Sequence, residues 1–130
     1  MSAERILVVE DNPKNLKLVR DVLEFSGYQV FAATTGEDGV RLAGEVAPHL
    51  VLMDLQLPGI DGAEALRRLR TRAGTREVLV VAVTAFAMPE DRRRAFDCGF
   101  NGYLEKPISV REFPSQVAAL LASARAGARG

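Results

Sequence analysis

Short apolar runs, five in all, alternate with stretches of helical periodicity and constrain the fold of this chain more than any other feature. His49-Leu50-Val51-Leu52-Met53 is the clearest. A run this short and this unbroken fits a strand covered on both faces, as the strands of a parallel sheet are. It closes on Asp54, and Pro58-Gly59 follows as turn punctuation. The other runs are Ile6–Val9, Tyr28–Ala32, Val78–Val83 and Asn101–Leu104. Five strands alternating with helices predict a doubly wound α/β domain on a parallel sheet. Ligands of such sheets bind just beyond the carboxyl ends of the strands, so a carboxylate there is placed for chemistry.

The helix signals are local. Asn12-Pro13 offers an N-cap and a first-turn proline for a helix to about Ser26, with Gly27 as its stop. Leu16, Val19 and Leu23 are expected on the sheet. Leu18 and Val22 are left to widen that buried face or to meet a partner. Thr35-Gly36-Glu37-Asp38 and Asp61-Gly62-Ala63-Glu64 follow the capping-box pattern. The first opens a helix to about Val46, the second a helix whose Arg67, Arg68, Arg70 and Arg72 read as a solvated face. A fourth helix is expected over Pro89–Cys98, with Gly99 past its end. Ser109 and Glu112 form another capping box, but Pro114 lies too deep for it. The last helix is therefore kinked or begins nearer Phe113. The folded unit is expected at residues 1–122, with 123–130 as a flexible tail.

Composition narrows the partners. Lys+Arg and Asp+Glu are equal at 17 each, which gives no argument for nucleic acid or an anionic membrane, and neither is expected. A single cysteine forms no intrachain disulfide and fits a reducing cytoplasm. The amino terminus has no signal-peptide core, and no run is long enough to span a bilayer. His49 reads as a surface residue, Cys98 as small buried packing, and Met53 and Met88 as packing.

Four strand ends carry polar groups that suit a common chemistry, namely Glu10 and Asp11, Asp54, Thr84, and Lys106. In a parallel sheet these ends share one rim. Three carboxylates gathered there repel, each raising the pKa of the others. Mg²⁺ answers that repulsion, since it takes oxygen ligands and needs only one or two carboxylates plus phosphate oxygens. Lys106 adds a second positive charge and Thr84 a hydroxyl donor. Asp54 is then a natural nucleophile toward phosphorus, carboxylates being able to form aspartyl phosphates.

Glu10-Asp11, Asp54, Thr84-Ala85 and Lys106-Pro107, at these separations, resemble the signature of the response-regulator receiver domain. The likeness covers residues 4 to 122. It implies the CheY- and flavodoxin-like topology, five strands in the order 2-1-3-4-5. The stretches around Glu10, Asp54, Thr84 and Lys106 are also similar to a single-domain regulator of bacterial cell division, and to receivers of hybrid histidine kinases. The resemblance implies that Asp54 takes a phosphoryl group from phosphohistidine on a histidine kinase or phosphotransfer protein. It implies Mg²⁺ held by Asp11, by Glu10 through water, by Asp54 and by the Gln56 carbonyl, with Thr84 and Lys106 on the phosphoryl oxygens. Tyr103 matches the switch aromatic that moves with Thr84, and output is expected through the face of helix four, strand five and helix five. Asn15, Leu18, Val22, Pro107 and Ile108 are expected to dock a helical phosphodonor. Gln56 and Phe86 flank the path of water to the acyl phosphate; because Phe86 cannot orient water, slow autodephosphorylation is expected.

Two other classes compete. A Mg²⁺-dependent phosphohydrolase would use the same aspartyl intermediate, but no acid/base Asp lies two residues beyond Asp54. A flavin or nucleotide carrier would share the topology, but the loop after the first strand is acidic and lacks phosphate-cradling glycines.

Overall fold

Strand β1 (Arg5–Val9) lies between β2 (Gln29–Ala33) and β3 (Leu50–Asp54); β4 (Leu79–Thr84) and β5 (Gly102–Glu105) complete the sheet in the order β2-β1-β3-β4-β5. All four pairings are parallel. The computed structural model describes residues 3–85 and 88–129, the side chains of 124–129 excepted. Five helices make the crossovers: α1 (Pro13–Phe25), α2 (Gly36–Val46), α3 (Gly62–Arg70), α4 (Pro89–Cys98) and α5 (Phe113–Arg129). The expected doubly wound topology and strand order are what the chain adopts.

Strand alternation builds two cores, because successive side chains point to opposite faces. Leu7, Val9, Val51, Met53, Val80 and Ala82 pack beneath α2, α3 and α4, with Val40, Ala65, Leu66, Leu69, Ala95 and Phe100. Ile6, Val8, Leu50, Leu52, Val81 and Val83 pack on the other face with Val19 and Leu23 of α1 and Phe113, Val117 and Leu121 of α5. Both faces of β3 are buried along its whole length, which is why its sequence is apolar without alternation.

Three helices start on the caps read from sequence. Asn12 Oδ1 accepts from the N–H groups of Lys14 and Asn15, Thr35 Oγ1 from Asp38, and Asp61 Oδ1 from Glu64. β2 to β5 sit one residue later than their apolar runs, and in β3, β4 and β5 pairing continues through polar Asp54, Thr84 and Glu105; β1 instead begins one residue earlier, at Arg5. The last helix begins at Phe113, which puts Pro114 in its first turn, where its missing N–H costs nothing. Ser109 still makes a turn ahead of it, its carbonyl accepting from Phe113 N–H at 2.8 Å. α5 continues to Arg129; among its described side chains the last in the core is Leu121.

Three expectations need correction. Cys98 is exposed, because α4 seats on the sheet through Ala95 and the chain then turns at Gly99 (φ 111) to bury Phe100 instead. Met88 is exposed as well, standing ahead of the first turn of α4 rather than packing. Arg70 is not part of a solvated face. Its guanidinium bonds the carbonyls of Arg76 and Val78 at 3.1 and 2.6 Å and Asn101 Oδ1 at 2.8 Å. Asn101 Oδ1 also accepts from Val80 N–H, so one arginine ties the end of α3 to the start of β4 and the loop before β5. Arg67 and Arg68, by contrast, pair with Glu64 on the surface. His49 is exposed, as expected, and its Nδ1 accepts from Arg5 N–H.

Candidate functional site

Sheet register brings the chemistry to one rim. Val9 pairs with Met53, Asp54 with Val83, and Thr84 with Glu105, so Glu10, Asp54, Thr84 and Lys106 all emerge at the carboxyl edge. Carboxylate oxygens of Glu10, Asp11 and Asp54 lie within 4.8 Å of one another. Glu10 and Asp54 are buried at 5% and 6% exposure, while Asp11 faces solvent.

Each group is held by its local structure. The turn into α1 aims Asn12 N–H at Glu10 Oε2, 3.1 Å away. The turn after β3 aims Gln56 N–H at Asp54 Oδ1, 3.0 Å away. α3 docks close behind: a side chain at Gly62 would put its Cβ 2.6 Å from the Asp54 carbonyl oxygen. The glycine thus lets a helix terminus approach the backbone of the nucleophile candidate. Lys106 is fixed from β4, its N–H donating to the Thr84 carbonyl at 2.8 Å, and the Lys106-Pro107 peptide is cis.

Lys106 Nζ reaches both buried carboxylates, 2.6 Å from Glu10 Oε1 and 2.9 Å from Asp54 Oδ2. Burial pushes the Glu10 carboxyl above its ordinary value; Lys106 and Asn12 N–H pull it down without cancelling the effect, and Asp54 adds to the rise. Burial works against the charge of Lys106, yet the bonds to Glu10 and Asp54 outweigh it and raise its pKa. One ammonium therefore balances three carboxylates, and the set carries surplus negative charge. Clustered hard oxygen donors with unbalanced charge, one of them open to solvent, fit a small divalent cation.

Thr84 is buried at the end of β4. Tyr103, opposite Ala82 on β5, packs against the α4-side core. Its hydroxyl is buried with no hydrogen-bond partner among the described residues. Burial, with Asp91 and Glu105 nearby, raises its pKa. Asn15, Leu18, Pro107 and Ile108 line a cleft of about 50 Å³ that opens beside Glu10 and Lys106. Val22 lies apart, one turn further along α1 and half-buried on the α1–α5 core. Phe86 lies outside the described residues. A groove of about 840 Å³ lies at the opposite edge of the sheet around His49, Thr75 and Asn101, away from the acidic cluster. Sequence reading passed over the close approach at Gly62, although the Asp61-Gly62 pair at a helix start was a signal for it.

Comparison with known proteins agrees with this geometry. The family described as "Response regulator receiver domain" matches residues 6–118. The chain is 41% identical over 119 residues to the polar-differentiation response regulator DivK of Brucella ovis, covering 92% of this chain and 97% of that protein. It is similar to the crystal structure of the receiver domain of a sensor histidine kinase from Pseudomonas aeruginosa, which has magnesium coordinated in its active-site cleft. That likeness has a TM-score of 0.85 and 34% identity over 93% of this chain and 99% of the other. The chemotaxis regulator CheY4 of Vibrio cholerae shares the fold, with a TM-score of 0.86 at 20% identity over 92% of this chain and 99% of that one.

Proposed function

The chain belongs to the response regulator receiver domain family, and from that premise we propose that it is a phosphorylation-switched signalling module with Asp54 as phosphoacceptor. The observation that carries the proposal is the junction of Asp54 with Lys106 and two further carboxylates at one sheet rim. A carboxylate oxygen of Asp54 attacks the phosphorus of a phosphohistidine on a kinase or phosphotransfer protein. The P–N bond breaks, the imidazole leaves with its electron pair and gains a proton, and an acyl phosphate remains on Asp54. Lys106 neutralises charge on the transferred oxygens, Thr84 donates its hydroxyl to them, and Glu10 and Asn12 hold the rim in place. Glu10, Asp11, Asp54 and the Gln56 carbonyl would hold Mg²⁺, which when bound supplies positive charge beside the phosphoryl oxygens.

Thr84 and Tyr103 form the switch. The Tyr103 hydroxyl is already out of solvent and unpaired among the described residues, so small changes in the contacts of Thr84 and its loop bias its position. Output passes to a protein partner on the face of α4, β5 and α5. Asn15, Leu18, Pro107 and Ile108, with Val22 beyond them, receive the helical phosphodonor. The functional unit is residues 1–122. No described helix is long and apolar enough to cross a membrane. The setting we prefer is cytoplasmic, with a role in cell-cycle or division control; the DivK relatives are named for polar differentiation. Similarity to the receiver of a sensor histidine kinase supports a second reading, a receiver working within a hybrid kinase.

Treatment with acetyl phosphate and Mg²⁺ tests the chemistry. Intact mass should show one added phosphoryl group on the wild-type chain and none on Asp54→Asn. An unmodified wild type, or an equally modified variant, would refute it. Transfer from purified histidine kinases then identifies the donor.

A further inference from the structure

α1 carries two further stripes beside the one it buries, the first partly exposed and the second fully so. Val19 and Leu23 go into the core. Next to them on the helix surface run Asn15, Leu18, Val22 and Phe25, spaced three, four and three residues apart, which keeps them on one face. Phe25 is 94% exposed and Leu18 38%. Phe25, with Leu18 two turns before it, leaves apolar surface on this face for a partner to cover. On the far side of that stripe run Lys14, Lys17, Asp21 and Glu24, with the same spacing and all exposed. This second stripe is basic in its first half and acidic in its second.

We propose that the occupant of this face is α1 of a second copy of the same chain, paired antiparallel about a two-fold axis. The charge order selects it. A two-fold axis lying between the helices and perpendicular to them brings each stripe onto its own reversed copy. Leu18 then meets Val22 of the other copy, and Phe25 lies over its Asn15. Lys14 meets Glu24 of the other copy, Lys17 meets its Asp21, and the symmetry makes every pair twice. A parallel two-fold pairing brings opposite flanks of the helices together and makes none of these pairs. The in-chain Lys17–Asp21 pair, 2.7 Å long and exposed on both sides, is cheap to exchange for the intermolecular one. A thirteen-residue helix is about 20 Å long and buries less than a standard interface, so the association is weak and concentration-dependent.

On the function proposed above, the pairing has a regulatory consequence. It covers Asn15, Leu18 and Val22, so a paired receiver is closed to its phosphodonor. The association itself does not depend on that reading.

Sedimentation equilibrium of the unphosphorylated chain, from about 10 µM to about 1 mM, reads it directly. The mass should rise towards that of a dimer, and Phe25→Ser should weaken the rise. The double variants Lys14→Glu/Lys17→Glu and Asp21→Lys/Glu24→Lys should each associate about tenfold or more weakly. Mixed in equal amounts, they should form a heterodimer tighter than the wild-type pair. A monomer at every concentration, or no gain on mixing, overturns the proposal. If those same stripe variants slow only transfer from a phosphodonor, the face belongs to the donor helix and the pairing is likewise refuted.

Discussion

Lys106 serves two buried carboxylates at once, and that imbalance governs what substitutions at the rim do. Removing the ammonium with Lys106→Met leaves Glu10 and Asp54 buried and uncompensated, and should cost on the order of 1–3 kcal/mol in urea denaturation with chelator present. Glu10→Gln should act the other way. The folded-state pKa of Glu10 is raised, so the fold favours its protonated form. That contribution is complete below the unfolded pKa and is lost as pH rises through the folded value. At neutral pH the ionised group is a liability, and the neutral amide should raise the denaturation midpoint in chelator. Mg²⁺ should raise the wild-type midpoint by binding the folded state alone, and should do so less for Asp11→Ala. A midpoint for Glu10→Gln below wild type in chelator would contradict this electrostatic account.

At the scale of elements, two helical glycines behave oppositely because their surroundings differ. Gly44 lies exposed within α2, with nothing near its would-be Cβ. Gly44→Ala should therefore stabilise by about 0.5–1 kcal/mol through helix propensity. Gly62→Ala would press against the backbone of Asp54 and Leu55 at 2.6 and 2.9 Å. It should destabilise by about 1–3 kcal/mol and slow phosphorylation by displacing the end of β3. In α3 the Glu64 carboxyl is held down to about 2 by its hydrogen bonds to Arg67 and Arg68. Its contribution is present above the ordinary carboxylate pKa and lost as pH falls towards 2. An NMR titration should place its midpoint near 2, and Glu64→Gln should flatten the stability profile across that interval. Arg70→Ala should cost roughly 1–3 kcal/mol, and Arg70→Lys should recover little of it, because a single ammonium cannot reach carbonyls and Asn101 together.

Across the whole molecule, legibility followed the range of the interactions. Strand runs, the caps at Asn12, Thr35 and Asp61, and the carboxyl-edge cluster were readable, since each rests on neighbours in sequence or on the shared rim of a parallel sheet. What escaped depends on contacts across the chain. Arg70 looks like any surface arginine until α3 is packed beside Asn101, 31 residues away. Cys98 looks buried until one sees that Ala95 alone seats its helix. The double duty of Lys106 needed the observed approach of β1 and β3 to the loop after β5.

That slender seating of α4 has a consequence for descent as well as for stability. Its N-cap residue makes no side-chain cap bond and its only buried residue is an alanine, so most of its length can be rewritten without disturbing either core. On the output face proposed above, gene duplication followed by drift at the exposed positions of α4 around Ala95 would yield paralogues with the same residues at the rim and different listeners. New wiring between signalling routes can thus arise on this helix before any part of the sheet has to change.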